Sequence, residues 1–492
     1  MKTKKNRIFI LAFIISSVIF AASFDYSGYT NVYAINKTSN GSMIKLPFRL
    51  LNYDFSISEL NQYDSFVIHA KWGVEHKIKS FNSHASFPSM LYDLTSSKNV
   101  DYSSKFRELY ISIFGPNYEI KLGKQIHSWG TVDVNSPLDF LNPTDYYYLF
   151  TDIDETKIGR ISLMFDFYLD QFQFQLLALP YHKPNNIPSN DPNFPITLPA
   201  TVNDYQFLAQ DEMFEWGGYA RTSTGTGEFT LYYFSGYDRN FNLYGANVFL
   251  DDFDINSVTD TVFSYRQTDM LGISGVKFID DFTIRFDFGY FKSNTDSISI
   301  ESRAYSGKDP ISEFLDFNTL AATSYFDISG EYHQYNLQVE FPTLPYDINL
   351  TTQLFNYRKY KVNGNIVDIE LTNFEIYLDG SDFFYPGMGS SLATLCERAF
   401  IINLDKTFFD DSMELQFSRL TDLKDKGHLD QLKFSYDLLD DLNLSFLFYK
   451  GKGNKIKYPD NPETETIDES LLYPFNGMAD FSHIRAQLKY FF

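Results

Sequence analysis

The sequence predicts an all-β fold, namely a transmembrane antiparallel β-barrel of about 18 strands, with 16 strands as the alternative. Three observations lead to this prediction. Apolar and polar side chains alternate with a period of two along the chain, short and long links alternate between these segments, and aromatic residues make up 18% of the 492 residues. Strict alternation indicates strands with one apolar face. Phe and Tyr favour strands and form the interfacial girdles of membrane barrels.

The alternation is clearest in "RISLMFDFYL" (residues 160–169), in which every second residue from Ile161 to Leu169 is apolar. The segments "DFTIRFDFGYF" (281–291) and "QYNLQVEF" (334–341) repeat the pattern. A soluble sandwich would bury the apolar face in its core, whereas a membrane barrel would turn it to lipid and line a lumen with the polar face. Alternation alone leaves both architectures open.

The lengths of the connections favour the barrel over a secreted soluble β protein. Membrane barrels have short periplasmic turns, long outer loops and an even number of strands, which places both termini at the same end. The long links are expected at 77–102, 127–158, 181–212, 237–265, 294–330, 361–395 and 451–479. The strands are expected at 25–35, 46–57, 63–76, 103–114, 118–126, 159–169, 171–180, 213–223, 227–236, 266–278, 281–293, 331–342, 347–360, 396–406, 411–421, 428–437, 441–450 and 480–492.

The first residues predict the compartment. A basic start is followed by an apolar run from Ile8 to Ala22, and Ala21 and Ser23 are small residues at a spacing typical of a cleavage site. The run is shorter than the roughly 20 residues of a membrane-spanning helix. We therefore expect residues 1–23 to be a secretory signal peptide, with an anchor helix as the alternative. The remaining residues, 24–492, are expected to form one barrel.

Charge and cysteine content narrow the classes further. The formal net charge of −22 makes nucleic acid a poor partner, because binding it depends on Lys and Arg that neutralise phosphates. Cys396 is the only cysteine, so no internal disulfide is expected. The eight His are scattered, and no HExxH, P-loop, GxSxG or CxxC motif occurs. We therefore expect that the protein is not an enzyme and that it has neither a cofactor nor a metal site.

The last residues, "FSHIRAQLKYFF" (481–492), alternate in the same way. The final strand is expected to pair with the first and to close the barrel, which removes every unpaired edge. The aromatic ending, with Tyr490 and Phe492, resembles the C-terminal signal that outer-membrane proteins present to the barrel assembly machinery.

One stretch, residues 106–150, resembles a porin-like family of Gram-negative outer-membrane barrels whose members are mostly of unknown function. The residues that carry the resemblance are Gly123, Lys124, Gln125, Trp129, Gly130, Asp133, Asn142, Pro143 and Asp145. The segments "LYYFSGYDR" (231–239) and "AQLKYFF" (486–492) also look like this family. The resemblance implies an outer-membrane, channel-forming barrel.

The loop that contains Trp129 is about 30 residues long, which exceeds a hairpin connection. Our hypothesis is that it folds into the lumen and narrows the pore, with Trp129, Asp133, Asp139 and Asp145 forming part of the constriction. The alternative is a loop on the rim, in which Trp129 is a structural anchor and the aspartates cap turns.

Strand parity predicts which charged side chains face the lumen. The predicted set carries both signs: Arg160, Asp166, Arg285, Asp287, Glu340, Glu414, Lys433, Arg485 and Lys489. Mixed charge favours small polar solutes over a dedicated anion pore. The alternative is that these are wall residues that satisfy one another across strands.

The sequence therefore predicts an outer-membrane, porin-like channel for passive or facilitated passage of small polar or amphipathic solutes. The alternative is a structural or adhesive barrel with a plugged lumen. The expected partners are outer-membrane lipid, the barrel assembly machinery and small solutes. Whether copies of the chain form a homo-oligomer stays open.

Overall fold

A computed structural model describes most of the chain. The described residues are 23–44, 46–60, 65–76, 102–149, 156–188, 213–251, 254–294, 320–325, 328–364, 366–371, 374–379, 384–424, 427–453 and 481–492. The expected signal peptide therefore lies outside the described residues, apart from Ser23. Among these ranges, no helix has both the length and the hydropathy to cross a bilayer.

The described residues form 23 strands and two short 3-10 turns, Tyr146–Tyr148 and Ser391–Thr394. The strands are β1 (Ser23–Lys37), β2 (Phe48–Leu60), β3 (Ser65–His76), β4 (Tyr102–Phe114), β5 (Tyr118–Gln125), β6 (Arg160–Leu169), β7 (Phe172–Leu179), β8 (Glu215–Thr224), β9 (Gly227–Tyr237), β10 (Asn242–Asp251), β11 (Asp254–Ser264), β12 (Gln267–Ile279), β13 (Phe282–Asn294), β14 (Leu320–Tyr325), β15 (Ser329–Glu340), β16 (Asn349–Asn363), β17 (Ile366–Leu371), β18 (Phe374–Asp379), β19 (Arg398–Phe408), β20 (Met413–Asp422), β21 (His428–Leu439), β22 (Leu442–Lys452) and β23 (His483–Phe491).

Eighteen of these strands close into one antiparallel barrel. Each strand pairs with the next barrel strand along the chain, and β23 pairs with β1 to complete the ring. The predicted fold class and the predicted count of 18 are confirmed, and each predicted strand overlaps one barrel strand. The barrel order omits β10, β11, β14, β17 and β18.

The five remaining strands correct the sequence prediction, which treated 237–265, 294–330 and 361–395 as plain loops. β10, β11 and β14 form a three-stranded sheet, and β17 pairs with β18. The β10–β11 ladder has three register shifts, for example between Leu243 and Gly245. Each shift breaks the period-two pattern, which is why alternation did not reveal β10 and β11. The β17–β18 ladder has no shift, but its strands have only six residues each.

The alternation sets the two faces of the wall. In β6 the side chains of Ile161 and Leu163 are about half exposed on the outside, whereas Arg160 and Ser162 are buried on the inside. The same outward exposure of large apolar side chains recurs around the ring, for example at Leu176, Leu231 and Phe448. A closed ring with an apolar outer face and no free strand edge is the arrangement of a transmembrane β-barrel.

One end of the barrel carries tight turns. Asp170 and Asp280 adopt left-handed backbone conformations, with φ of 49° and 50°, in the links between β6 and β7 and between β12 and β13. Asp tolerates this conformation better than most residues. The first residue of β1 and the last of β23 lie at the same end, so long loops extend from the opposite end. We call these the turn end and the loop end.

An apolar cluster fills part of the barrel interior, from the middle toward the loop end. It joins the wall around Ile35 and Phe481 to residues on the far side of the ring, including Trp129, Phe140, Phe234, Phe291, Tyr332, Phe384 and Leu392. Two loop segments supply much of this cluster. Their placement defines the candidate site.

Candidate functional site

Residues 126–149, between β5 and β6, form a segment that we call the inner loop. It runs inside the barrel instead of covering the rim. Its side chains and backbone bond to inward-facing residues of β7, β13 and β15.

Trp129 anchors the first part of the inner loop. Its indole Nε1 donates to Oε1 of Gln175 on β7 at 2.9 Å. Its ring lies among Tyr219, Tyr232 and Phe234, with centroid distances of 6.2, 5.3 and 6.3 Å. The side chain is buried, and its one donor is satisfied, as expected for an indole in a core.

Asp287 on β13 holds the next part of the loop. Its carboxylate accepts from the backbone N–H groups of Thr131 at 2.9 Å and Val132 at 3.1 Å, and from the Thr131 hydroxyl at 2.8 Å. Gly130 precedes this contact with φ of +94°. A Cβ there would lie 2.5 Å from Oδ2 of Asp287, so only glycine allows so close an approach.

Amide side chains on β15 fix the tip of the loop. Gln338 accepts from the backbone N–H of Asp133 at 3.1 Å and donates to Oδ2 of the same residue at 2.5 Å. Asn336 donates to the carbonyl oxygen of Asn135 at 3.2 Å. Gln353 on β16 donates to Gln338 at 3.0 Å, which orients its amide. The wall side chains thus replace the backbone partners that a loop lacks.

Asn142 closes the base of the loop. Its side-chain oxygen accepts from the backbone N–H of His127 at 2.6 Å. Its side-chain nitrogen donates to the carbonyl oxygens of Gln125 at 3.1 Å and Ile158 at 2.8 Å. One buried amide therefore joins both ends of the loop. The motif that carries the family resemblance corresponds largely to residues that hold this loop in place.

A buried ion cluster supports the loop from the wall. Glu215, the first residue of β8, pairs with Arg160 at 2.5 Å and with Arg239 at 2.6 Å. Arg160 also donates to the carbonyl oxygen of Leu141 at 2.9 Å, and Arg239 donates to that of Phe140 at 3.0 Å. The single carboxylate therefore positions two guanidinium groups, and each guanidinium binds the inner loop.

His182 completes the ion cluster, with Nδ1 2.9 Å from Glu215. Burial lowers the pKa of His182 to about 4, and the nearby Arg239 contributes to the lowering. At neutral pH the imidazole is therefore uncharged and adds no third positive charge beside the two arginines.

A second segment, residues 384–396, also packs inside the barrel. Tyr332 and Gln334 on β15 donate to the carbonyl oxygen of Met388 at 3.1 and 3.0 Å. Gln334 also accepts from the backbone N–H of Ser390 at 2.8 Å. The hydroxyls of Tyr146 and Thr394 lie 3.4 Å apart, so the segment contacts the inner loop. We call residues 384–396 the second inner segment.

The four predicted constriction residues divide into two kinds. Trp129 and Asp145 are buried; Asp145 caps the 3-10 turn by accepting from the backbone N–H of Tyr147 at 3.3 Å. Burial raises the pKa of Asp145, and the charge of Glu75 adds to the rise. Asp133 is exposed, and Asp139 is partly exposed and pairs with Lys157 at 2.5 Å. Only the last two present charge to the interior space.

The predicted lumen-facing residues lie on the inner face. Arg160 and Asp287 hold the inner loop, as described above. Asp166 accepts from Gln175 at 3.0 Å, and Arg285 pairs with Glu340 at 2.6 Å. The cations of Arg485 and Lys489 lie over the rings of Tyr33 and Tyr29, at 5.6 and 3.9 Å from the centroids. Most of these charges are therefore satisfied by wall neighbours.

The interior wall has two sides. On the packed side, formed by β6–β9, β12, β13, β15 and β16, inward residues such as Thr230, Ser274 and Gln334 are fully buried beneath the two inner segments. On the open side, formed by β19–β21 and β2–β4, inward charged residues nearer the turn end keep contact with solvent, whereas Arg49, Glu75 and Arg107 nearer the loop end are buried. Lys433 pairs with Glu414 at 3.2 Å, and both side chains are about one third exposed.

A second charged group belongs to the open side. His69 on β3 lies 3.4 Å from Asp54 on β2 and 3.8 Å from Glu108 on β4, and Lys71 lies 4.0 Å from Asp54. The open side therefore displays acids and bases in alternation. In the described part of the chain, no cluster of three or more His, Cys, Asp or Glu has the arrangement of a metal site.

The predicted assembly residues lie on the outer face at the turn end. Phe492 exchanges two backbone hydrogen bonds with Gly28 on β1, at 2.9 and 3.0 Å. Its ring stacks on Tyr53 at 5.9 Å. Tyr490 is exposed on the same face.

Two parts of the site escaped the sequence prediction, namely the partners Glu215 and Arg239 of Arg160 and the whole second inner segment. Glu215 lies near the start of the predicted strand 213–223, where parity places a side chain on a face but does not identify its partner. Arg239 falls in the predicted loop 237–265, where parity gives no placement. In the second inner segment, "GMGSS" (387–391) is rich in Gly and Ser and has no alternation that would have indicated packing inside the barrel.

No protein-family model and no curated protein matches the chain. Several solved structures are similar to it over nearly their whole length. OccAB2 of Acinetobacter baumannii is 8% identical with a TM-score of 0.47, over 96% of this chain and 98% of that chain. The outer membrane protein opdK of Pseudomonas aeruginosa is 9% identical with a TM-score of 0.45, over 96% and 99%. The outer membrane channel DcaP of Acinetobacter baumannii is 9% identical with a TM-score of 0.39, over 96% and 98%. Identities and TM-scores this low assign neither a family nor a function.

Proposed function

We propose that this protein is an outer-membrane channel for passive or facilitated passage of small polar or amphipathic solutes. The observation that carries the proposal is the inner loop, which wall side chains hold inside a closed 18-stranded barrel while charged groups of the open side nearer the turn end stay partly exposed. Barrels of this width leave an aqueous channel unless a segment fills it. The inner loop is then the element that sets the width of the passage.

The passage is proposed to run along the open side. Its charged groups, such as Lys433 with Glu414 and His69 with Asp54, alternate in sign. A wall of this kind exchanges hydrogen bonds with polar solutes and does not concentrate one sign of ion. Asp133 and Asp139 are the charges that the inner loop contributes to the constriction, and Lys157, just before β6, pairs with Asp139.

We propose that residues 1–23 are a cleaved signal peptide and that the aromatic end, Tyr490 and Phe492, serves the assembly machinery. The apolar outer face supplies the contact with membrane lipid. The charged inner wall is assigned to solute passage and structural support, not to catalysis.

The second candidate function is a structural barrel with a plugged lumen. The specific observation in its favour is the continuous apolar cluster, which joins the wall near Ile35 to the inner loop and to the second inner segment. Apolar contact that spans a lumen excludes water and ions from the region it fills. The two candidates differ in whether a polar path remains beside this cluster.

The test is single-channel recording of the purified, refolded protein in a planar lipid bilayer. The variant Asp287→Ala removes the bonds that hold Thr131 and Val132, so the loop loosens and unit conductance rises. Asp405→Ala is the matched control, because Asp405 is an inner-wall acid bonded to Asn349 and not to the loop. The channel is supported if the wild type gives discrete current steps and if only Asp287→Ala, and not Asp405→Ala, increases their size. Silence from folded, inserted wild-type protein overturns it in favour of the plug.

A further inference from the structure

The outer face of the barrel carries basic residues on neighbouring strands at its loop end. They are Arg358 on β16, Arg398 on β19, Arg419 on β20, and Lys450 and Lys452 on β22. All five are exposed. We call them the outer basic patch. The chain has 63 acidic and only 41 basic residues, so its composition does not explain a local excess of positive charge.

Strand parity places the patch on the lipid side of the wall. Leu415 on β20, Leu432 on β21 and Phe448 on β22 are exposed apolar residues of the outer face. Arg419 and Lys450 are separated from Leu415 and Phe448 by even numbers of residues on the same strands, so they share that face. The patch therefore lies directly above the apolar belt, at the level of lipid headgroups.

The centre of the patch is ordered by an ion pair. In the barrel ladder, Arg419 lies opposite Asp430 on β21, and Asp430 lies opposite Lys450. Arg419 donates from Nε and Nη2 to the two carboxylate oxygens of Asp430, at 2.5 and 2.8 Å. This fork fixes the guanidinium plane and leaves Nη1 for another acceptor. A fixed guanidinium beside ammonium groups is a favourable arrangement for phosphate.

Other outward charges near the loop end are mixed in sign. On β12, β13 and β15 they are Asp269, Lys292 and Glu331, and Lys292 lies opposite Glu331. Compared with these three strands, the arc from β16 to β22 carries a positive excess. Since the loop end of such barrels faces the exterior, this arc meets the headgroups of the outer leaflet.

We propose that the outer basic patch binds the phosphorylated headgroup of an outer-leaflet glycolipid, with the acyl chains of that lipid against Leu432 and Phe448. The inference rests on the proposed outer-membrane placement, but it is independent of channel activity. Arg419 and Lys450 contact phosphate directly, whereas Asp430 positions Arg419.

Native mass spectrometry of the detergent-solubilised full chain tests the proposal, with bis-phosphorylated lipid A and its dephosphorylated form as probes. The wild type retains the phosphorylated lipid at a concentration roughly 25-fold lower than the dephosphorylated lipid, since two basic groups contact phosphate and each strengthens binding about fivefold. The double variant Arg419→Gln, Lys450→Gln loses this preference. The matched control Lys277→Gln, Lys292→Gln, on the outer face of β12 and β13, keeps it.

Two further arms separate the alternatives. Asp430→Asn keeps one acceptor oxygen for positioning Arg419 and removes the nearest negative charge, so binding is kept or strengthened; a loss as large as that of the double variant would overturn the proposal. Millimolar inorganic phosphate leaves the lipid bound; complete displacement would indicate a free-phosphate site and also overturn it. Equal retention of both lipids by the wild type contradicts it directly. None of these results depends on conductance, so they remain informative if the barrel conducts no current.

Discussion

The packed side and the open side of the interior wall are built from the same alternating strands but differ in what covers them. On the packed side, Thr230, Ser274 and Gln334 lie beneath two loop segments and are fully buried. On the open side, Glu414 and Lys433 keep about a third of their side-chain surface. The comparison shows that the strands determine which residues face inward, whereas the loops determine which of them meet solvent.

The largest expected effect comes from the ion cluster of the packed side. Glu215→Gln leaves the guanidinium groups of Arg160 and Arg239 buried without their carboxylate, which costs about 3–5 kcal/mol of unfolding free energy. The measurement is the urea midpoint of the folded barrel. Glu228→Gln is the control, because Glu228 pairs with Arg221 at 3.3 Å with both side chains over a quarter exposed. That pair contributes roughly 0–1 kcal/mol. Equal losses of unfolding free energy in Glu215→Gln and Glu228→Gln would contradict the prediction that the buried ion cluster stabilises the barrel more than the exposed pair.

The next effect comes from the anchor of the inner loop. Trp129→Ala removes a buried ring that packs on Tyr232, and large-to-small changes of this kind cost about 3–5 kcal/mol. We expect part of this loss to appear as local release, with faster amide exchange across residues 126–149. The matched control is Trp216→Ala on the outer face, which is about half exposed. Unchanged amide exchange in Trp129→Ala would contradict the role of Trp129 as an anchor, because the other contacts would then hold the inner loop without it.

A pH effect follows from His182 on the packed side. Its folded-state pKa of about 4 lies below the ordinary value of 6.5. The folded state therefore binds the proton more weakly than the unfolded state, and the stability present above pH 6.5 falls as the pH approaches 4. His182→Gln is expected to make this part of the profile flatter than in the wild type. The measurement is the urea midpoint across this range, with His428→Gln as the control. Parallel profiles for wild type and His182→Gln would contradict the prediction.

The smallest effect on stability is expected on the open side. Lys433→Gln breaks a partly exposed pair with Glu414 and costs under about 1 kcal/mol. It leaves an unpaired carboxylate on the proposed path, so the reversal potential in a salt gradient shifts toward cation selectivity. Lys406→Gln, on the outer face of β19, is the control. An equal shift of the reversal potential in Lys433→Gln and Lys406→Gln would contradict a solute path along the open side.

The local sequence pattern predicted the fold more completely than it predicted the site. Alternation predicted all 18 barrel strands, because the apolar and polar faces of a strand can be recognised within a few consecutive residues. The site depends on partners far apart in the chain. Parity placed Arg160 on the inner face, but its pairing with Glu215 depends on which strands adjoin and how the loops return. Likewise the motif singled out Trp129, whereas its acceptor Gln175 is one of three alternating glutamines that nothing in the sequence distinguishes.

The central claim, that solutes pass along the open side, is tested most directly by cysteine modification during bilayer recording. In a Cys396→Ala background, Ser418→Cys on the open side is compared with Ser274→Cys, whose native hydroxyl is buried 3.0 Å from that of Tyr232. A water-soluble, charged methanethiosulfonate is added once channels are open. The account predicts a stepwise fall in current for Ser418→Cys and none for Ser274→Cys. Block at Ser274→Cys with no change at Ser418→Cys would contradict it.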